Sequence, residues 1–147
     1  MSYLSTMAKS KRPESSLSFN SMDDKSTRSL IDTAREGIPF TQFMNIAQAS
    51  PFTLNEWSNY LHVSERTMQR YKKEKRTFDT LQSEKILHIT LLYNTGTELF
   101  GSSEKFNTWL DTDNLVLHCK PKDLLDSMFG IGMLRDELTR IEHGILA

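Results

Sequence analysis

The 147-residue sequence predicts an all-α protein. Three observations carry that prediction. Apolar residues recur at helical spacing, cap signals stand just ahead of several such stripes, and Gly or Pro punctuates them. Ser29 to Gly37, SLIDTAREG, reads as a helix closed by a glycine C-cap, with folded structure starting near Leu30. Pro39 then stands where a new helix begins, and Phe40, Phe43, Met44 and Ala47 form one apolar stripe. Ser50-Pro51 breaks it. Thr53 with Glu56 makes a capping box for a third helix, whose inward residues are Leu54, Trp57 and Leu61.

Next comes LHVSERTMQRYKKEKR, residues 61 to 76. Val63 is an apolar plug, Ser64 an N-cap, and Glu65 to about Lys73 a helix burying Met68 and Tyr71. Two short helices, a tight turn and an Arg/Gln/Thr-rich second helix make the helix-turn-helix plan of DNA-binding proteins. The residue types suit the chemistry, because Arg pairs a guanine edge through two parallel hydrogen bonds and Gln does the same for adenine. Arg66, Thr67 and Arg70 are the candidates for base contact. Ser64, Gln69, Lys72, Lys73 and Arg76 are candidates for the phosphate backbone or an adjacent face. His62 stands at the turn position often held by glycine. A solvated charged helix in a bundle is the plainer reading of the same pattern.

Composition bounds the rest. Net charge is −1, but residues 64–76 hold six basic and two acidic residues, whereas residues 101–147 hold five basic and eight acidic. Such asymmetry suggests two surfaces with different partners. The single cysteine, Cys119, has no internal partner for a disulfide, there is no Cys/His cluster at zinc spacing, and no apolar run is long enough to span a bilayer. A cytoplasmic protein with no metal, cofactor or membrane partner is expected. Residues 1–28 carry eight serines and few large apolar residues, so residues 1–29 read as a flexible arm, with Lys9, Lys11 and Arg12 able to touch phosphates.

In the second half, Ser83 to Leu99 is apolar nearly all round and reads as a buried helix joining two layers. Lone His88 within it reads as a core or interface residue. Ser102 caps a helix through Phe106, Trp109 and Leu110. DTDNLVLHCKP is a loop, Pro121 starts a helix broken by Gly130 and Gly132, and a last helix runs from Met133 to about His143 with Leu134, Leu138 and Ile141 inward. It stops at Gly144, leaving the apolar tail Ile145-Leu146-Ala147. Asp111, Asp113, Asp123 and Asp126 are better explained by caps and loops than by paired catalytic carboxylates. With no P-loop and no nucleophile elbow, no catalytic residues and no enzyme activity are expected.

From about residue 38 the chain resembles the Xre/MbcA/ParS antitoxins, in which an Xre-like helix-turn-helix precedes a toxin-binding domain. The resemblance rests on LHVSERTMQRYKKEKRTFDTLQSEKILHI and, more specifically, on FNTWLDTDN, LVLHCKPKDLLDSMFG and LRDELTRIEHGILA. The elements W-L, N-x-x-L, P-x-D-L-L, G and R-I-E-x-G follow in order, with His118 and Cys119 where the family usually has glycines. The resemblance implies a helix-turn-helix domain over 30–95 and a mostly helical toxin-binding domain over 96–147. It implies a toxin of the NAD-consuming RES class as partner, covered at its active site by Arg135, Arg140, Glu142, Gly144 and the tail Ile145, Leu146 and Ala147. It also implies operator binding and autorepression. A homodimer is expected from the two-fold symmetry of most operators. The alternative is a plain regulator whose second half only dimerises.

Overall fold

In the computed structural model the described residues are 26–146, with side chains up to residue 144. They form seven α-helices and no strand. These are α1 (Thr27–Glu36), α2 (Phe40–Ala49), α3 (Leu54–Leu61), α4 (Glu65–Glu74), α5 (Thr80–Phe100), α6 (Ser103–Leu110) and α7 (Met128–Leu146), with a 3-10 turn at Pro121–Leu124. The proposed arm lies outside the described residues as far as residue 25, with Lys9, Lys11 and Arg12 in that part. Ala147 lies outside them at the other end.

Local chemistry accounts for most helix ends. Ser26, Thr53, Ser64, Asp79 and Ser102 each accept a backbone N–H in the first turn of the helix that follows. Gly37, at φ 89°, closes α1, and a Cβ there would overlap the Phe78 carbonyl. The Phe78 amide donates to Ile38 O at 2.9 Å and the Phe40 amide to Arg76 O at 2.9 Å, so the start of α2 and the end of the α4–α5 connection are stitched together.

Phe40, Phe43, Trp57 and Phe78 fill the core of the first half, with Phe43 edge-on to Trp57 at 5.2 Å. The aromatic packing continues without interruption into the second half. Phe52 meets Tyr93 at 6.4 Å, Tyr93 meets Phe106 at 5.7 Å, and Phe106 stacks on Trp109 at 5.6 Å. Ile86, Leu87, Ile89, Leu92 and Tyr93 of α5 are buried, as the all-round apolar pattern predicts. Both halves close on this one helix. On the α2 stripe, Ile46 is buried while Met44 is only half-buried.

Three expectations for the last third need correction. Pro121 opens a 3-10 turn rather than an α-helix. Gly130 and Gly132 do not break a helix: α7 runs through both, and it continues past Gly144 to Leu146. The reason at Gly130 is packing, since a Cβ there would overlap Leu124 O and the α7 backbone lies directly on the 3-10 turn. A helix held by tertiary contact tolerates a residue of poor propensity. The loop before it is ordered by Asn114, whose Oδ1 accepts the amides of Val116 at 2.8 Å and Leu117 at 3.0 Å, while its own amide donates to Cys119 O at 3.0 Å. His118 takes a left-handed φ of 65° there, the conformation a glycine would supply.

Candidate functional site

The first candidate surface is the outer face of α4. Its start is fixed by Ser64 Oγ, which accepts the Thr67 amide at 3.0 Å and donates to Thr67 Oγ1 at 3.1 Å. Met68 is fully buried and Tyr71 packs on Phe78 at 5.3 Å, so the rotation of the helix is set. That rotation puts Arg66, Gln69, Arg70 and Lys73 on one exposed face at i, i+3, i+4 and i+7, and none of them has an ion-pair partner among the described residues. Lys72 is exposed beside this face. Thr67 is half-buried with its hydroxyl engaged by Ser64, and Arg76 is turned back on the protein, paired with Glu74 at 3.0 Å and 5.4 Å above the Tyr71 ring. Of the predicted set, the geometry therefore gathers Arg66, Gln69, Arg70 and Lys73, and separates Thr67 and Arg76 from them. A shallow depression of about 340 Å³ at the helix start is lined by Leu54, Glu65, Arg66, Met68 and Gln69.

The turn ahead of α4 is left-handed at His62, φ 60° and ψ 40°. An L side chain is disfavoured there by roughly 1–2 kcal/mol. The imidazole has found a distant partner, with its Nε2 2.7 Å from Asp126 O. The same carbonyl accepts from Lys85 Nζ at 2.5 Å.

The second candidate surface lies where α7 packs against α5. Arg135 and Glu142 line one depression of about 340 Å³ together with Thr95, Glu98, Leu99, Leu138 and Thr139. Arg135 Nη2 approaches His88 Nδ1 at 3.4 Å. Burial and then the Arg135 charge hold the His88 pKa below its usual value, with Glu84 opposing. Arg140 stands outside this depression, with its guanidinium on the carboxylate of buried Glu137, Nε to Oε1 at 3.0 Å. Gly144 is exposed within α7, and the side chains of Ile145 and Leu146 lie outside the described set.

Sequence reasoning passed over the exposed apolar side chains of this half. Phe129 is 91% exposed and Leu115 91%, with Val116, Met128 and Met133 also open to solvent. The signal for Phe129 and Met133 was available: once α7 is continuous, Ile131, Leu134 and Leu138 take the inward face and leave those two outside.

It also passed over the joint between the two halves. Lys122 Nζ lies 2.8 Å from Glu56 Oε2 and 2.8 Å from Asp111 Oδ1. Partial burial alone raises the Glu56 pKa, but Lys122 and the Thr53 amide outweigh it and leave the carboxyl below its usual value. Lys122 likewise depresses Asp111, and the two carboxylates raise Lys122. A carboxyl whose folded pKa is depressed adds stability above its unfolded pKa and loses it as pH falls through the folded one. Lys122→Met is therefore expected to flatten the loss of stability below about pH 4.5. Urea melts of both proteins from pH 6 to pH 3 measure it, and equal acid limbs would contradict it.

The comparisons with known proteins divide the chain in the same order. Residues 29–90 match the antitoxin Xre-like helix-turn-helix domain, and residues 95–144 match the antitoxin Xre/MbcA/ParS C-terminal toxin-binding domain. No curated protein matches the chain. Among the described residues no helix is long and apolar enough to cross a membrane. Two adjoining matches in the family's own order cover most of the chain, over an all-α fold in which a capped, basic second helix follows a tight turn. The protein belongs to the Xre/MbcA/ParS antitoxin family.

Proposed function

We propose that this protein is the antitoxin of a type II pair, acting in the cytoplasm, that neutralises a toxin through its second half and represses its own operon through α4. The observation that carries the reading is the coexistence of an unpaired Arg66/Gln69/Arg70/Lys73 face with a separate half of toxin-binding type. A folding role alone leaves that face without a purpose. Arg66 and Arg70 read bases, with Gln69, Lys72 and Lys73 beside them and Ser64 at the helix start. Thr67 and Arg76 contribute through the cap and the adjacent face. Arg135, Arg140, Glu142, Gly144 and the end Ile145 to Ala147 engage the toxin's active-site cleft, a RES-class, NAD-degrading toxin being the expected partner. The DNA-binding unit spans residues 30–95 and the toxin-binding unit 96–147, and the protein acts as a homodimer on a two-fold operator.

Co-expression with the neighbouring reading frame tests the reading. Growth arrest by the neighbour alone, with rescue and co-purification when this protein is present, is the expected result. Absence of toxicity and of a complex would leave a DNA-binding regulator with a dimerising second half. Deleting residues 141–147 is expected to abolish rescue while DNA binding persists, scored by growth and by mobility shift. Protection by the shortened chain would remove the cleft-covering role from the C-terminus.

A further inference from the structure

Both ends of α3 are fastened to one five-residue stretch of the other half. At its first turn, Glu56 accepts the Thr53 amide through Oε1 at 3.0 Å, completing the capping box, and offers Oε2 to Lys122 at 2.8 Å. At its last, His62 Nε2 meets Asp126 O at 2.7 Å, with Lys85 Nζ on the same oxygen. Between the two attachments Leu125 is fully buried. The Asn55 side-chain amide donates to Glu65, so whatever holds α3 also holds the start of α4. Residues 56 and 62 belong to the helix-turn-helix match, and residues 122 and 126 to the toxin-binding match.

We infer that His62 and Lys122 are positioning residues for DNA binding, mounting the α3–α4 reading unit on the Lys122–Asp126 stretch of the toxin-binding half. A turn residue chosen only for its backbone would be glycine, which adopts the left-handed conformation without cost. His62 gives up that ease and gains a partner 64 residues away. With its ring proton on Nε2, His62 donates to the Asp126 carbonyl, and Lys85 Nζ stands 3.5 Å from the same nitrogen. Lys122, half-buried between two carboxylates, makes the other attachment directional as well as attractive. The orientation of α4 is then a property of the whole chain, and displacement of Lys122–Asp126 by anything bound to the second half reaches the DNA face.

The inference rests on the DNA-binding role proposed above, so the test reads the mount both with and without DNA. Full-length wild type, His62→Gly, Lys122→Gln and Lys122→Arg are compared by amide hydrogen exchange across α3 and α4. They are also compared for affinity to the duplex immediately upstream of this reading frame at one fixed salt concentration. His62→Gly and Lys122→Gln are expected to exchange faster in α3–α4 and to bind the duplex about ten-fold more weakly, a loss that corresponds to one modest interaction. Lys122→Arg is expected to restore both. His62→Gly separates the mount from a merely structural turn, because a turn role alone predicts equal or slower exchange. Unchanged exchange in His62→Gly and Lys122→Gln overturns the inference. Faster exchange with unchanged DNA affinity overturns the positioning role. If wild type itself fails to bind the duplex, the DNA reading falls, and the positioning role for DNA falls with it, whatever the exchange shows about the mount.

Discussion

Gly130→Ala is expected to cost about 3 kcal/mol, the upper part of the range for overpacking. The added methyl meets the Leu124 carbonyl and carbon, which are backbone and have no rotamer by which to withdraw. Relief requires moving α7 away from the 3-10 turn, which opens the packing around Leu125 and Ile131, both fully buried. For a chain of this size the loss corresponds to a fall of about 10 °C in Tm. Gly132→Ala is the matched control. A Cβ at Gly132 meets nothing within 4 Å, so the substitution is expected to stabilise α7 by up to about 1 kcal/mol through helix propensity. Thermal melts of the two variants, followed by far-UV circular dichroism, check both signs at once. Two variants of equal stability would show that neither glycine is selected by packing.

The second large effect falls on DNA binding. Arg66→Ala with Arg70→Ala removes two guanidinium groups from the exposed face of α4, where neither is tied to a carboxylate among the described residues. A bidentate base contact contributes about 1–3 kcal/mol of discrimination, so the pair is expected to weaken operator binding at least about thirty-fold. Both side chains are exposed and Met68 still anchors the helix, so the fold and its Tm are expected to persist. Mobility shift on the upstream duplex, with the same protein assayed for rescue of the toxin-expressing cell, measures the effect. Rescue by a variant that no longer binds DNA separates an antitoxin from a plain regulator, whose every phenotype would vanish. Wild-type affinity is also expected to fall steeply with added salt, as counterion release from phosphates requires.

The helix-turn-helix part of the fold was legible because its signals are local. Thr53 with Glu56, Ser64 ahead of α4 and Gly37 after α1 each act within one helical turn, and each sits in the structure as the spacing predicts. The box made by Asp79 and Gln82 is equally local, yet the expected start of α5 at Ser83 stood past it. Elsewhere the signals were not local at all. Glu56 and Lys122, or His62 and Asp126, lie more than sixty residues apart and leave no periodic trace, so a charged residue and a misfit turn residue stood without explanation. Gly130 misled for a related reason. Glycine lowers helix propensity by about 1 kcal/mol, and from sequence alone that cost has no visible offset. The offset is a carbonyl from a turn six residues earlier, apparent only once the chain is folded.

The burial of α5 has a consequence for synthesis. Leu92 and Tyr93 leave the ribosome before the residues of α6 and α7 that pack on the far end of α5, among them Phe106 and Leu138. During that interval the nascent chain carries a helix with one apolar side still uncovered, the condition under which growing chains associate with one another. The helix-turn-helix half, with its own core of Phe40, Phe43, Trp57 and Phe78, is thus made and closed first, and the far side of α5 is shielded last. The length of that interval is the time translation takes to proceed from Phe100 to Leu138.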